Sequence, residues 1–274
     1  MKPYKIVLLA TAFFTFASCN NDDKKPDTTE TPRKLKEENV TYTGDNVSMN
    51  GYVVYDESVE GPRPAVLVVH EWWGQNDYPR SRARQLADLG YIAMAVDMYG
   101  DGKQVDSPDS AKKLATPFYM DPQMAKRRFD AAYEKLKSFP QTDVNKMAAI
   151  GYCFGGAQVL NMAKLGSNLA GVVSFHGNLT VVPANKDLLK AQVLVCHGGN
   201  DSFVPEAEVD QFKHEMDSIG AKYTLKVYPG ATHAFTNPGA DKKAKDYNMP
   251  IAYNPAADSA SWKDMKDFFN TIFK

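Results

Sequence analysis

Two spacings of apolar residues alternate along the chain. Residues 65–69 are an unbroken apolar run rich in β-branched side chains, which predicts a strand buried on both faces, and residues 91–96 and 192–196 read as further buried strands. Residues 147–150, 169–174 and 223–228 read as further strands. Between them, residues 78–89, 123–139, 157–165, 206–219 and 256–273 carry apolar positions at helical spacing. Gly90 and Gly220 follow two of these stretches directly, where a glycine closes a helix. Ahead of the buried strands, residues 40–42 and 47–55 alternate polar and apolar, with Gly44-Asp45-Asn46 between them as a turn. Residues 101–122 form a longer connection, partly helical, placed to overhang a site. Strands alternating with helices predict an α/β fold: a mainly parallel, doubly wound sheet with helices on both faces. Such a sheet carries its functional residues at the carboxyl ends of the strands. No internal repeat is visible.

The first forty residues depart from this pattern. Lys2 and Lys5 precede a short apolar stretch, residues 6–17, too short to span a membrane. It ends in Phe16-Ala17-Ser18-Cys19, which resembles a bacterial lipobox, although Phe16 stands where leucine is usual. Residues 1–19 therefore predict a signal peptide with Cys19 as a lipidation site; a simple secretory signal cleaved nearby is the alternative. Residues 20–37 are polar, charged and almost without apolar side chains, the composition of a flexible tether. The folded domain is expected over residues 38–274. Export, with a membrane contact only through the N-terminal lipid, follows from this reading. At 274 residues and a formal net charge of −1, the chain is long enough for one full core and gives no sign of a nucleic-acid partner. Its 3 cysteines are too few and wrongly spaced for a disulfide framework or a zinc cluster.

The chemistry concentrates at strand ends. The run ending at Ile150 continues as Gly151-Tyr152-Cys153-Phe154-Gly155-Gly156 and passes into a helix. Strand, sharp turn and helix with a nucleophile at the turn resemble a nucleophile elbow, with cysteine in place of serine. Gly151 and Gly155 leave room where strand and helix approach. The N–H of Phe154 opens the helix and is a candidate oxyanion donor. Asp201 follows the strand at 192–196, and His233 follows the strand at 223–228. Alone, a loop histidine or an aspartate in an Asx turn says little. Together they supply what a thiol nucleophile needs: a base that takes and returns a proton, and a carboxylate that orients it.

Gly151-Tyr152-Cys153-Phe154-Gly155-Gly156, His197-Gly198-Gly199-Asn200-Asp201-Ser202-Phe203-Val204-Pro205 and Gly230-Ala231-Thr232-His233-Ala234-Phe235 resemble the signature stretches of the dienelactone hydrolase family. His70-Glu71-Trp72-Trp73-Gly74 matches a fourth. The resemblance covers residues 40–274 and implies an α/β-hydrolase fold. It implies that Glu71 contacts the thiol at rest and swings to take its proton when substrate binds, and that the Trp72 N–H is the second oxyanion donor. In family members that cleave dienelactone, an arginine after the catalytic histidine holds the substrate carboxylate; here that position falls on Asn237. Trp72, Trp73, Tyr99, Phe118, His176 and Asn237 are candidate pocket residues. His70 and His197 are expected to be structural, and Cys196 inert in its strand.

The expected activity is hydrolysis of small-molecule esters or lactones through a Cys-His-Asp triad and a thioester, with neither metal nor cofactor. The alternative from another class is a non-catalytic or redox-responsive surface lipoprotein on a hydrolase scaffold. The absence of a Cys-x-x-Cys pair counts against disulfide exchange.

Overall fold

A computed structural model describes Met1 and residues 33–274; the signal segment, Cys19 and most of the expected tether lie outside the described residues. Among the described residues the strands are β1 (Leu35–Gly44), β2 (Val47–Asp56), β3 (Arg63–Val69), β4 (Ile92–Val96), β5 (Thr142–Tyr152), β6 (Gly171–Phe175), β7 (Gln192–Gly198) and β8 (Tyr223–Tyr228). They form one sheet in the order β1-β2-β4-β3-β5-β6-β7-β8. β3 to β8 pair in parallel; β2 runs antiparallel to both of its neighbours. This is the expected mainly parallel α/β architecture. One boundary moves: β1 takes in Leu35, Lys36 and Glu37, which the sequence pattern assigned to the tether. Lys36-Glu37-Glu38 is polar because β1 is the edge strand, where charged side chains blunt further pairing. The hairpin turns through Asp45 and Asn46 at φ 53° and 58°, as a two-residue turn with both central residues left-handed requires.

Among the described residues, five helices connect strands, α1 (Asp77–Asp88), α2 (Pro108–Met120), α3 (Pro122–Lys137), α4 (Phe154–Lys164) and α5 (Glu206–Ser218), and two follow β8, α6 (Ala240–Tyr247) and α7 (Pro255–Ile272). Alternate residues of the central strands face opposite layers. Val66 and Val68 pack with Leu86 of α1 and with Met265 and Phe269 of α7. Leu67 and Val69 join Phe129 of α3, Leu160 of α4 and Phe212 of α5. Both faces of β3 are thus apolar, which is why its sequence reads as an unbroken run rather than an alternation. The carboxyl ends of β3, β5, β7 and β8 lie along one edge of this sandwich, and the loops that leave them carry the site.

Candidate active site

Cys153 sits between β5 and α4 at φ 52° and ψ −114°, a conformation that a side-chain-bearing residue holds only when its surroundings impose it. The surroundings are close-packed. A Cβ on Gly151 would lie 2.1 Å from the carbonyl oxygen of Gly155, and one on Gly155 would lie 2.2 Å from that of Val69. Cys153 is partly exposed, whereas Tyr152 and Phe154 on either side are buried. The Cys153 N–H points inward and is shared by the Phe175 carbonyl at 3.0 Å and His176 Nδ1 at 3.1 Å. Phe154 is the first residue of α4, so its N–H has no partner inside the helix and is free to bind an anion.

Asp201 follows β7. Its Oδ1 accepts the N–H groups of Phe203 (2.9 Å) and Val204 (3.3 Å), closing an Asx turn. Its Oδ2 accepts from His233 Nδ1 at 2.9 Å. The two readings of this aspartate coexist: the turn fixes the carboxylate, and the carboxylate fixes the imidazole. Burial works against a charged His233, but nearby Cys153 and the Asp201 hydrogen bond outweigh it and push its pKa up to about 10.

Glu71 lies just beyond β3, 3% exposed. Burial raises its pKa to about 7 against the opposing effects of Asn237, His233 and Arg82. The resemblance led us to expect Glu71 on the thiol. Instead, Oε2 of Glu71 accepts from Asn237 Nδ2 at 2.6 Å. Asn237 does not line the cavity: its amide is spent on Glu71 and its Oδ1 on the Gly239 N–H.

A cavity of about 580 Å³ opens over Cys153 and His233. Trp72, Trp73, Tyr119, Phe154, Val181, Phe203, Met249 and Ile251 supply its apolar walls; Glu71, Lys112 and Glu208 line it together with His233. Lys112, Ala115, Thr116 and Tyr119 belong to α2, so the long connection after β4 does form a wall of the site. Of the expected pocket residues, Trp72 and Trp73 line the cavity and Tyr99, Phe118 and His176 do not. Tyr99 and Phe118 pack behind Phe154, with ring centroids 5.4 Å from it, and the Tyr99 hydroxyl donates to the Trp72 carbonyl. His176 is buried beneath Cys153 rather than beside the cavity. His70 is structural, as expected. Its Nε2 accepts the Met98 N–H, so Nδ1 carries the proton and donates to the Glu71 carbonyl. Buried Cys196 has its thiol pKa pushed up to about 12, mainly by burial.

Several lining residues escaped the sequence reading. Phe203 stands two residues after Asp201 and packs its ring 4.9 Å from that of His233; its place beside a strand-end carboxylate was the available signal. Tyr119 lies in the stretch expected to overhang. Met249 and Ile251 follow α6 and carry no local signal. They reach the site because the chain returns from α6 to bond the Ala252 N–H to the His233 carbonyl.

A sheet of this topology with a strained cysteine elbow and a following Asp–His pair defines an α/β-hydrolase. The family is also shown: the dienelactone hydrolase family model matches residues 49–273, and the chain belongs to that family. A protein of Aquifex aeolicus that carries the provisional name carboxymethylenebutenolidase is 30% identical over 243 residues, covering 86% of this chain and 98% of its own. The crystal structure of a dienelactone hydrolase-like promiscuous phosphotriesterase from metagenomic libraries superposes with a TM-score of 0.81 at 35% identity, over 87% of this chain and 98% of that one. A second solved structure, m3DLH, gives 0.82 at 33% identity, over 88% and 99%. The chain is accordingly an ester or lactone hydrolase of the dienelactone hydrolase type.

Proposed function

We propose that the protein hydrolyses small uncharged esters or lactones through a thioester on Cys153, with His233 and Asp201 completing a triad. The observation that carries this reading is the convergence of the strained Cys153 elbow with the Asp201–His233 bond in one aromatic-walled cavity. The cycle starts from the neutral thiol, the Glu71 carboxylate held by Asn237 and the His233 imidazolium held by Asp201. Substrate entry brings the Glu71 carboxylate from Asn237 to the thiol, and it takes the proton. A pKa of about 7 suits a group that must accept and return a proton near neutrality. The thiolate adds to the carbonyl carbon, and the carbonyl π electrons move onto oxygen. The N–H groups of Phe154 and Trp72 receive that oxyanion. Collapse breaks the C–O bond, and the leaving oxygen takes a proton from the His233 imidazolium. Water then attacks the thioester and gives its proton to neutral His233. The second collapse releases the carboxylic acid and the thiolate, which recovers its proton from Glu71.

Cys153→Ala and His233→Ala are expected to lower turnover of a generic ester by several orders of magnitude, as loss of triad members does elsewhere. Mass spectrometry of quenched enzyme should find the acyl group on Cys153. Near wild-type turnover by folded Cys153→Ala protein would sink the mechanism and favour the non-catalytic alternative. We further propose that residues 1–19 direct export and that Cys19 carries the lipid. Cys19→Ser is then expected to release the protein from membranes, and an unmodified mature N-terminus at another residue would exclude the anchor.

A further inference from the structure

Beneath the nucleophile runs a chain of buried polar groups that the mechanism does not use. His176 follows β6 directly at φ 42° and is 1% exposed. A backbone N–H can only donate, so the bond from the Cys153 N–H makes Nδ1 of His176 an acceptor. In the neutral ring the proton therefore sits on Nε2, which faces Thr236 Oγ1 at 2.8 Å and donates to it. The neutral ring is the stable one: burial, and the nearby charges of His233 and Arg82, hold its pKa well below the usual histidine value. Thr236 is fully buried. Its hydroxyl is 2.7 Å from the Tyr78 hydroxyl, and its carbonyl accepts from Arg82 Nη2, which also reaches Asp258 at 2.6 Å.

Thr236 lies between His233, three residues before it, and Asn237, the partner of Glu71. One side chain thus joins the backbone of the nucleophile to the loop that carries both the base and the Glu71 partner. We propose that His176 is a positioning residue that holds the Cys153 elbow in register with the 233–237 loop. It does not line the substrate space, and its ring packs edge-on against that of His233, with centroids 5.1 Å apart. Its two nitrogens are bonded by two different elements, and this separates it from an ordinary buried histidine. The proposal rests on Cys153 being the nucleophile.

Two substitutions divide the ring into its two functions. The shorter amide introduced by His176→Asn offers its oxygen near the place of Nδ1 and leaves Thr236 unserved. The longer amide of His176→Gln reaches toward Thr236 and leaves the Cys153 N–H without its histidine acceptor. Kinetics on a neutral p-nitrophenyl ester should show kcat lowered by about 10²-fold in His176→Gln, the scale of a small misplacement of a reacting group, with KM nearly unchanged. His176→Asn, which keeps an acceptor for the Cys153 N–H but severs the bond to Thr236, should lower kcat to the same extent as Thr236→Val and less than His176→Gln. Thr236→Val should lower kcat, and Thr236→Ser, which keeps the hydroxyl, should restore it; this pair tests the link if His176→Gln does not fold. Equal kcat in the Asn and Gln variants, or a loss confined to KM, overturns the assignment. So does a Thr236→Val enzyme with wild-type kcat. Cys153→Ala measured alongside separates the two levels. If it is dead while His176→Gln is unimpaired, only the role of His176 falls; if it remains active, the nucleophile assignment falls and takes this proposal with it.

Discussion

Glu71 shows how one residue sets activity against stability. Its carboxyl has a pKa of about 7 in the folded protein against an ordinary value of 4.5, because burial disfavours the charged form. The folded state therefore binds this proton more tightly than the unfolded state does. The associated stability is fully present below pH 4.5 and is lost as pH rises through 7. The shift corresponds to about 3 kcal/mol at 1.36 kcal/mol per unit. Glu71→Gln keeps the shape and the hydrogen bond from Asn237 and removes the charge. Thermal unfolding should show the variant more stable than wild type at pH 8, by up to about 3 kcal/mol, and equal to it near pH 4. Ester turnover should fall at the acylation step, as measured by the pre-steady-state burst. A variant less stable than wild type at pH 8 contradicts the assignment of Glu71 as a buried ionised group.

The elbow is the element on which the site depends, and its tolerance follows from its contacts. Ala in place of Gly155 improves helix propensity at the start of α4, a gain of up to about 1 kcal/mol. Against this, its Cβ would stand 2.2 Å from the Val69 carbonyl oxygen, and the atom in the way is backbone of β3, which cannot step aside. The clash wins, and Gly155→Ala should cost toward the upper end of the roughly 1–3 kcal/mol typical of overpacking, or more. Gly220, at φ +65° with nothing within 4 Å of a Cβ, is the control. There Ala bears only the left-handed backbone, about 1–2 kcal/mol. Chemical denaturation of the two variants measures the difference; equal losses would show that the packing of the elbow is loose. The same elements explain what the sequence could disclose. Strands buried on both faces, such as β3, admit no reading but an apolar run. The glycines of the elbow are forced by contact at about 2 Å. Helix α6 was missed because its eight residues, Ala-Asp-Lys-Lys-Ala-Lys-Asp-Tyr, bury only Ala240 and so carry no apolar stripe. Tyr99, just after β4, and Phe118, on α2, were placed in the pocket because an aromatic has the same sequence whether it faces a cavity or backs Phe154. The Asn237–Glu71 bond joins residues 166 apart, which no local pattern encodes.

At the scale of the whole molecule, the distribution of charge around the cavity decides which substrates enter. Arg80, Arg82, Arg127 and Arg128 are candidates to replace the arginine that the resemblance assigns to carboxylate binding in dienelactone-cleaving members, and all four are committed elsewhere. Arg80 bonds Gln75, Arg82 bonds Asp258 and the Thr236 carbonyl, Arg127 pairs with Asp45, and Arg128 donates to the Met98 and Tyr99 carbonyls. None of the four lines the cavity. Asn237, at the position of that arginine, is turned to Glu71. Among the described residues, Lys112 is the lysine or arginine that lines the cavity, and it is exposed on α2, where solvent screens it; the charge of the His233 imidazolium is offset by its bond to Asp201. Glu71 and Glu208 line the same space and repel an anion. A substrate carboxylate there forgoes a charge-assisted bond of about 1.5–3 kcal/mol. Loss of that bond lowers kcat/KM by roughly 10- to 100-fold at 1.4 kcal/mol per decade. The aromatic walls, by contrast, suit an apolar acyl or alcohol group. The enzyme should therefore prefer a neutral ester to its carboxylate-bearing analogue by at least about tenfold in kcat/KM. The ratio should narrow in Glu208→Gln, which removes one repelling charge, and widen in Lys112→Ala. A clear preference for the anionic ester that disappears in Lys112→Ala would mean that α2, not the loop after His233, supplies the carboxylate site of this enzyme.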